Sequence, residues 1–232
     1  MGKLTAIGFD ADDTLWHNER FFQMTQERFA ELLADFADPA QLQGRLLAAE
    51  RRNLGRYGFG VKGFVLSMIE TAIEVTEERV PARIIGALVR AGQEMLAHPI
   101  ELLPGAEAAV TALSGHYRLV LVTKGDLLDQ ERKLAQSGLG DLFDAVEIVS
   151  DKVPSVYAQI FARHGNGAAR ALMAGNSLKS DVLPMIAAGG YGVHIPHMLT
   201  WALEQDDAPQ DEARFRHLDH IAALPALVAA ID

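Results

Sequence analysis

From Pro104 onward the chain repeats one pattern, a short and almost uninterrupted apolar run followed by a stretch with helical spacing. The runs are Leu119–Thr123, Ala145–Ser150, Ala171–Gly175 and Tyr191–Ile195, and a fifth lies near the start, at residues 4–9. Most are too apolar to keep one face in water. Strands buried on both faces and joined by helical crossovers specify a parallel sheet covered on both sides. The expected fold is α/β, a doubly wound parallel five-stranded sheet.

Between the first run and the others, residues 17–97 read as helix almost throughout. Phe21, Phe22, Met24, Thr25, Phe29, Leu32, Leu33 and Phe36 share one helical face, and Val61, Phe64, Val65, Met68, Ile69, Ala72 and Ile73 another. Asp38-Pro39 and Val80-Pro81 read as helix starts with proline in the first turn. Gly55, Gly58, Gly60 and Gly63 read as a loop between the second and third helices. The expected organisation is an α/β core, 1–16 and 98–232, interrupted by a four-helix insert, 17–97. The most loop-like stretch is Glu204–Glu212.

Composition narrows the chemistry. A chain of 232 residues can bury a full core, and 49% hydrophobic with 22% charged residues is ordinary for a globular protein. With no cysteine, disulfides, thiolate metal sites and cysteine nucleophiles are excluded. A formal net charge of −10 argues against nucleic acid or an anionic membrane as partner, so an anion would need a local positive site. No apolar run has membrane-spanning length and the N-terminus lacks a signal pattern, so a cytoplasmic protein is expected, a monomer or homodimer.

The chemistry gathers where the apolar runs end. Phe9-Asp10-Ala11-Asp12-Asp13-Thr14 places three carboxylates and a hydroxyl after the first run. Carboxylates that close repel each other, and a divalent cation with oxygen ligands would relieve them; a solvated acidic turn is the alternative for the segment alone. Thr123-Lys124-Gly125 offers a hydroxyl and free amides as an anion cradle, although a threonine there also suits a helix cap. Lys152 follows the third run, and Gly175-Asn176-Ser177 with Asp181 follows the fourth. In isolation Lys152 would be a surface lysine and Asp181 an N-cap. In a parallel sheet, however, all these ends lie along one edge, where ligands bind.

This set resembles the four motifs of the haloacid dehalogenase superfamily of phosphohydrolases, in order and at fitting spacing. Asp10-Ala11-Asp12-Asp13-Thr14 matches the first, Thr123 the second, Lys152 the third, and Gly175-Asn176-Ser177 with Asp181 the fourth. Two departures stand out: Asp13 where glycine is commonest, and Asn176 where aspartate is frequent. The resemblance implies that Asp10 is a nucleophile forming an aspartyl phosphate and that Asp12 is the general acid and base. It implies that Thr123, Lys124, Gly125 and Lys152 bind the phosphoryl group. Mg2+ would be held by Asp10, the Asp12 carbonyl and Asp181, with Asn176 acting through its amide oxygen or a water. Asp12 favours phosphoryl transfer over a 2-haloacid dehalogenase-type hydrolysis, since those dehalogenases lack an aspartate at that position and need no metal; a phosphomutase on the same fold is a further alternative. A receiver-like or idle phosphate-binding protein is the non-enzymatic contrast. The implied substrate is a small phosphorylated metabolite such as a nucleotide or sugar phosphate. The helical insert corresponds to a cap, with Arg56, Lys62, Tyr57 and His17 as candidate substrate contacts; a solvated helix face accounts equally well for any one of the basic residues.

Overall fold

The computed structural model describes residues 3–210 and 212–232. Two compact units emerge. One comprises the segments up to Glu19, Ile100–Lys124 and from Gln130 onward; the other comprises Arg20–Pro99 with Gly125–Asp129.

The first unit carries the sheet. Its strands are β1 (Ala6–Phe9), β2 (Arg118–Lys124), β3 (Ala145–Val149), β4 (Ala171–Gly175), β5 (Tyr191–His194) and β6 (Phe215–His217), in the order β3-β2-β1-β4-β5-β6. Every pairing is parallel. The expected five strands are therefore six among the described residues. The sixth, Phe215-Arg216-His217, is a three-residue edge strand beside β5. Half-exposed and mostly polar, it has no apolar run by which a strand is recognised. Phe9 pairs with both Leu121 and Ala174, so β1 sits between β2 and β4, where the winding reverses.

The second unit is helical: α1 (Glu19–Leu32), α2 (Pro39–Tyr57), α3 (Val61–Val75) and α4 (Ala82–Ala97). Its core joins Phe29, Leu33, Leu42, Leu46, Phe64, Met68, Ile84 and Leu88. The Asp38 carboxylate caps α2 by accepting from the Gln41 N–H at 3.1 Å, with Pro39 in the first turn. The glycine-rich loop is shorter than its composition implies. Gly55 lies inside α2 and Gly63 inside α3, leaving Gly58 (φ 72°) and Gly60 (φ 109°) in the connection. A Cβ at position 63 would stand 2.9 Å from the Gly58 carbonyl oxygen, so Gly63 is there for close approach within a helix.

The remaining helices are α5 (Ala106–Leu113), α6 (Leu127–Ser137), α7 (Pro154–His164), α8 (Leu183–Ala187) and α9 (Leu224–Ile231). Strand alternation sends Ile7, Phe9, Leu119, Leu121 and Leu172 to one face, against Val110 and Leu113 of α5 and Leu224 and Val228 of α9. Ala6, Val120, Val122 and Met173 go to the other, against Tyr157, Ile160 and Phe161 of α7 and Met185 of α8. Each large side chain so buried contributes about 1.5–3 kcal/mol, which favours a sheet enclosed on both faces and leaves its ends for chemistry.

Candidate active site

Asp10 directly follows β1, and its N–H extends the ladder to the Ala174 carbonyl at 2.9 Å. Its carboxylate is held on both oxygens. Thr14 Oγ1 donates to Oδ2 at 3.0 Å, and Lys152 Nζ to Oδ1 at 2.5 Å. The same ammonium donates to Asp181 Oδ1 at 2.6 Å, so one cation bridges two carboxylates. All three side chains are buried. Asp181 lies in a π-helical turn, Leu178–Val182, between β4 and α8, and its Oδ2 accepts from the Ser177 N–H at 3.0 Å. Its carboxylate rests directly over Gly175, where a Cβ would be 2.2 Å from Oδ2; no other residue leaves room. Thr123, at the end of β2, is buried and turns its hydroxyl to the Lys124 carbonyl at 3.3 Å.

Burial, reinforced by the nearby Asp181 charge, pushes the Asp10 carboxyl up to about 7 against the opposing pull of Lys152. Burial acting alone would lower the Lys152 ammonium. The Asp10 and Asp181 carboxylates outweigh it and hold Lys152 above the ordinary lysine range. Asp12 is the opposite case. Burial would raise it, but the Lys133 charge and hydrogen bonds from Gln130, Lys133 and Trp16 keep it below the usual aspartate range.

Two of those donors, Gln130 and Lys133, are residues that sequence reasoning missed. Trp16 Nε1 reaches Asp12 Oδ1 at 2.7 Å, Gln130 Nε2 reaches Oδ2 at 2.8 Å, and Lys133 Nζ spans both at 2.9 and 3.1 Å. In α6 Leu127 and Leu128 are exposed while Gln130 and Lys133, three apart on one face, are buried, the reverse of what their polarity leads one to expect. Asp13 takes the left-handed conformation (φ 61°) that glycine would occupy without strain. Its carboxylate accepts from the Asn18 N–H at 2.9 Å and the Glu19 N–H at 2.9 Å, fixing the chain where α1 begins.

The other expected contacts divide. His17 packs edge-on against His197, ring centroids 5.8 Å apart. The Lys124 ammonium, expected at a phosphate, is engaged by Glu204 Oε1 at 2.5 Å and Ser180 Oγ at 2.8 Å. Gly125 (φ 139°) opens the segment that belongs to the helical unit. Within that unit Lys62 is ion-paired with Asp126 at 2.9 Å and the Tyr57 hydroxyl donates to Glu70 at 2.9 Å, while Arg56 is exposed at the end of α2. Lys62 and Tyr57 thus have protein partners, which the sequence did not foretell.

The donor set fits a hard divalent cation. The Asn176 amide atom facing the site stands 3.1 Å from Asp10 Oδ2 and 3.3 Å from the Asp12 carbonyl oxygen. With nitrogen there, the amide donates to both. With oxygen there, three acceptors face one another, an arrangement that a cation stabilises. No three histidine or carboxylate side chains converge on such a point among the described residues. Two carboxylates, one amide oxygen and one carbonyl with waters is nonetheless the kind of set Mg2+ accepts.

A family model described as haloacid dehalogenase-like hydrolase matches residues 4–189, spanning β1 to the end of α8. The chain belongs to this family. It is similar to a haloacid dehalogenase-like family hydrolase from Xanthomonas campestris, at 43% identity and a TM-score of 0.88, covering 99% of this chain and 92% of that one. It is 25% identical to the glyceraldehyde 3-phosphate phosphatase of Methanothermobacter thermautotrophicus over 97% of this chain and 100% of that protein. It is 31% identical to the pyrimidine 5'-nucleotidase YjjG of Escherichia coli over 38% of this chain, a match spanning 41% of that protein. Among the described residues no helix is long and apolar enough to cross a membrane.

Proposed function

We propose that this haloacid dehalogenase-like hydrolase is a Mg2+-dependent phosphomonoester hydrolase acting through an aspartyl-phosphate intermediate on a small phosphorylated metabolite. The observation that carries the reading is Asp12, two residues beyond Asp10, partly buried and held by its own donors away from the Lys152 pair. A reaction that only displaces a leaving group needs one carboxylate; protonating a leaving alkoxide and activating a water need a second. The phosphatase named among the full-length relatives supports the same reading.

Bound Mg2+ would offset the repulsion between a carboxylate and a phosphate dianion and would draw Asp10 below its elevated pKa, making it a competent nucleophile. Asp10 attacks phosphorus, and the bond to the ester oxygen breaks as Asp12 passes a proton to it; Asp12 takes up that proton as substrate binds, because the phosphate dianion beside it opposes the pull of Lys133. Asp12 then takes a proton from water, whose oxygen attacks the aspartyl phosphate and returns Asp10 as carboxylate with release of phosphate. Such acid–base assistance is worth on the order of 10²–10⁴ in rate. Lys152 stays charged throughout, and Thr123 would turn its hydroxyl from the Lys124 carbonyl to a phosphoryl oxygen. Substrate choice would rest with the helical unit as a cap, because the core motifs address the phosphoryl group alone; Arg56 is its candidate anion contact. Phosphate release across a panel of phosphorylated metabolites, with Mg2+ and with chelator, tests the reading. Metal-dependent turnover of a subset is expected. Halide release from 2-haloacids without phosphate release would overturn it.

A further inference from the structure

A second assembly of polar side chains, two of them buried serines and the others partly buried or exposed, stands behind the turn that carries Asp181. Glu204 comes from a short 3-10 turn, Ala202–Glu204, at the start of the loop-like stretch. Its Oε2 accepts from Ser177 Oγ at 2.7 Å and Ser180 Oγ at 2.5 Å, and its Oε1 from Lys124 Nζ at 2.5 Å. Lys124 also donates to Ser180 Oγ at 2.8 Å, and Lys179 Nζ donates to the Leu203 carbonyl at 2.8 Å. The two serines are the ones that shape the turn. Ser177 Oγ accepts from the Ser180 N–H at 3.0 Å, its carbonyl accepts from the Asp181 N–H at 2.9 Å, and its own N–H holds Asp181 Oδ2 at 3.0 Å.

We infer that Glu204 is a positioning residue for cation binding: through Ser177 and Ser180 it fixes the π-helical turn so that Asp181 presents Oδ1 to the site. This rests on the phosphohydrolase reading above, since it assigns Asp181 to the metal. A π turn contains one residue more than the α-helical turn it replaces, and such turns are characteristic of functional sites. Here the serine hydroxyls that could loosen the turn by competing for its backbone are instead oriented by an anion with both oxygens occupied. The Lys124 ammonium balances that anion and ties the end of β2 to the same assembly. Outer partners of this kind orient a metal's ligands, and their loss typically weakens metal binding by about 10–100-fold.

Isothermal titration of Mg2+ into the full-length protein tests the inference, comparing wild type with Glu204→Gln and with Glu204→Gln/Lys124→Met. The double variant removes both charges together, so it leaves no buried ion unpaired if the single variant fails to fold. Glutamine offers one acceptor where glutamate offers two, so Glu204→Gln cannot orient both serines and Lys124 together. Both variants are expected to bind Mg2+ about 10–100-fold more weakly, and in Glu204→Gln saturating Mg2+ restores kcat and leaves KM for p-nitrophenyl phosphate near wild type. An unchanged Mg2+ affinity in the folded double variant overturns the inference. So does a kcat deficit that saturating Mg2+ does not repair while affinity is unchanged, which would mark Glu204 as structural only. If wild type itself binds no Mg2+, the cation reading of the site fails, and the inference with it, before any variant is compared.

Discussion

Asp10 and Asp12 are two residues apart and meet opposite surroundings: burial beside Asp181 lifts Asp10 to about 7, whereas Lys133, Gln130 and Trp16 hold Asp12 low. Pairs of carboxylates pushed apart in this way are where distinct roles are assigned. For Asp10 the elevation opposes nucleophilic action, and on the proposed mechanism its relief by a cation would tie activity to metal. Asp10→Asn keeps the shape and removes a repelling charge, so a folded protein without detectable phosphatase turnover is expected; undiminished turnover would rule out the covalent route. Lys133→Met should lower kcat at least about tenfold, short of the ~10²–10⁴ loss expected for Asp12→Asn, because it removes the orientation of Asp12 and not the group itself. Steady-state kinetics of the three proteins check both expectations, and a Lys133→Met enzyme with wild-type kcat would sink the second. The carboxylates were legible in the sequence because they follow an apolar run. Lys133 was not, because its partner lies 121 residues away and only the docked helix brings them together.

At the scale of elements, the strand ends explain what could be read and what could not. An apolar run that stops at Asp10, Thr123 or Asn176 announces a buried strand and its polar terminus together. β6 escaped because three half-exposed residues carry no such contrast, and Glu204 escaped because its loop looks merely acidic. Helical spacing likewise outweighed Gly55 and Gly63, which composition had placed in a loop. The β4 end makes a sharp prediction. In Gly175→Ala the new Cβ would need the space 2.2 Å from Asp181 Oδ2, so Asp181 must move. A loss of about 1–3 kcal/mol in stability, seen in denaturant unfolding, should accompany weakened Mg2+ binding. Wild-type Mg2+ affinity in that variant would show that Asp181 is not a ligand. The strap carrying Glu204 has its own pH signature. Burial pushes this carboxyl up, but Lys124 and the serine hydroxyls outweigh it and hold it below the usual glutamate value. A folded pKa below the unfolded one means that stability is present above about pH 4.5 and is lost as pH falls through the folded value. Melting temperatures in metal-free buffer should therefore drop less steeply below about pH 4.5 in Glu204→Gln than in wild type; identical slopes would show that this pair does not contribute.

At the scale of the whole molecule, the proposed ligands Asp10, Asp12, Asn176 and Asp181 all belong to the sheet-bearing unit, and none to the helical one. A ligand that binds only the folded form stabilises it by RT ln(1 + [L]/Kd), about 2.7 kcal/mol at a hundred times Kd. The stabilisation acts on whichever cooperative unit contains the site. Two units with separate hydrophobic cores need not unfold together, so calorimetry with and without Mg2+ separates them. Resolved as two transitions, the one belonging to the sheet should rise by roughly 5–10 °C with saturating Mg2+ while the helical one stays in place, given about 2–4 °C per kcal/mol for a unit of this size. In Asp181→Ala the shift should largely vanish, because the variant removes a proposed ligand, which is also one of the two carboxylates facing Lys152. That loss also leaves the Lys152 ammonium with Asp10 as its remaining carboxylate partner, so the variant's metal-free melting temperature must be measured alongside and only the Mg2+-induced increment compared. A single transition that moves as a whole would mean that the units unfold as one cooperative body. No movement of any transition, in a protein whose turnover nonetheless requires Mg2+, would place the metal on the substrate and not on these four residues.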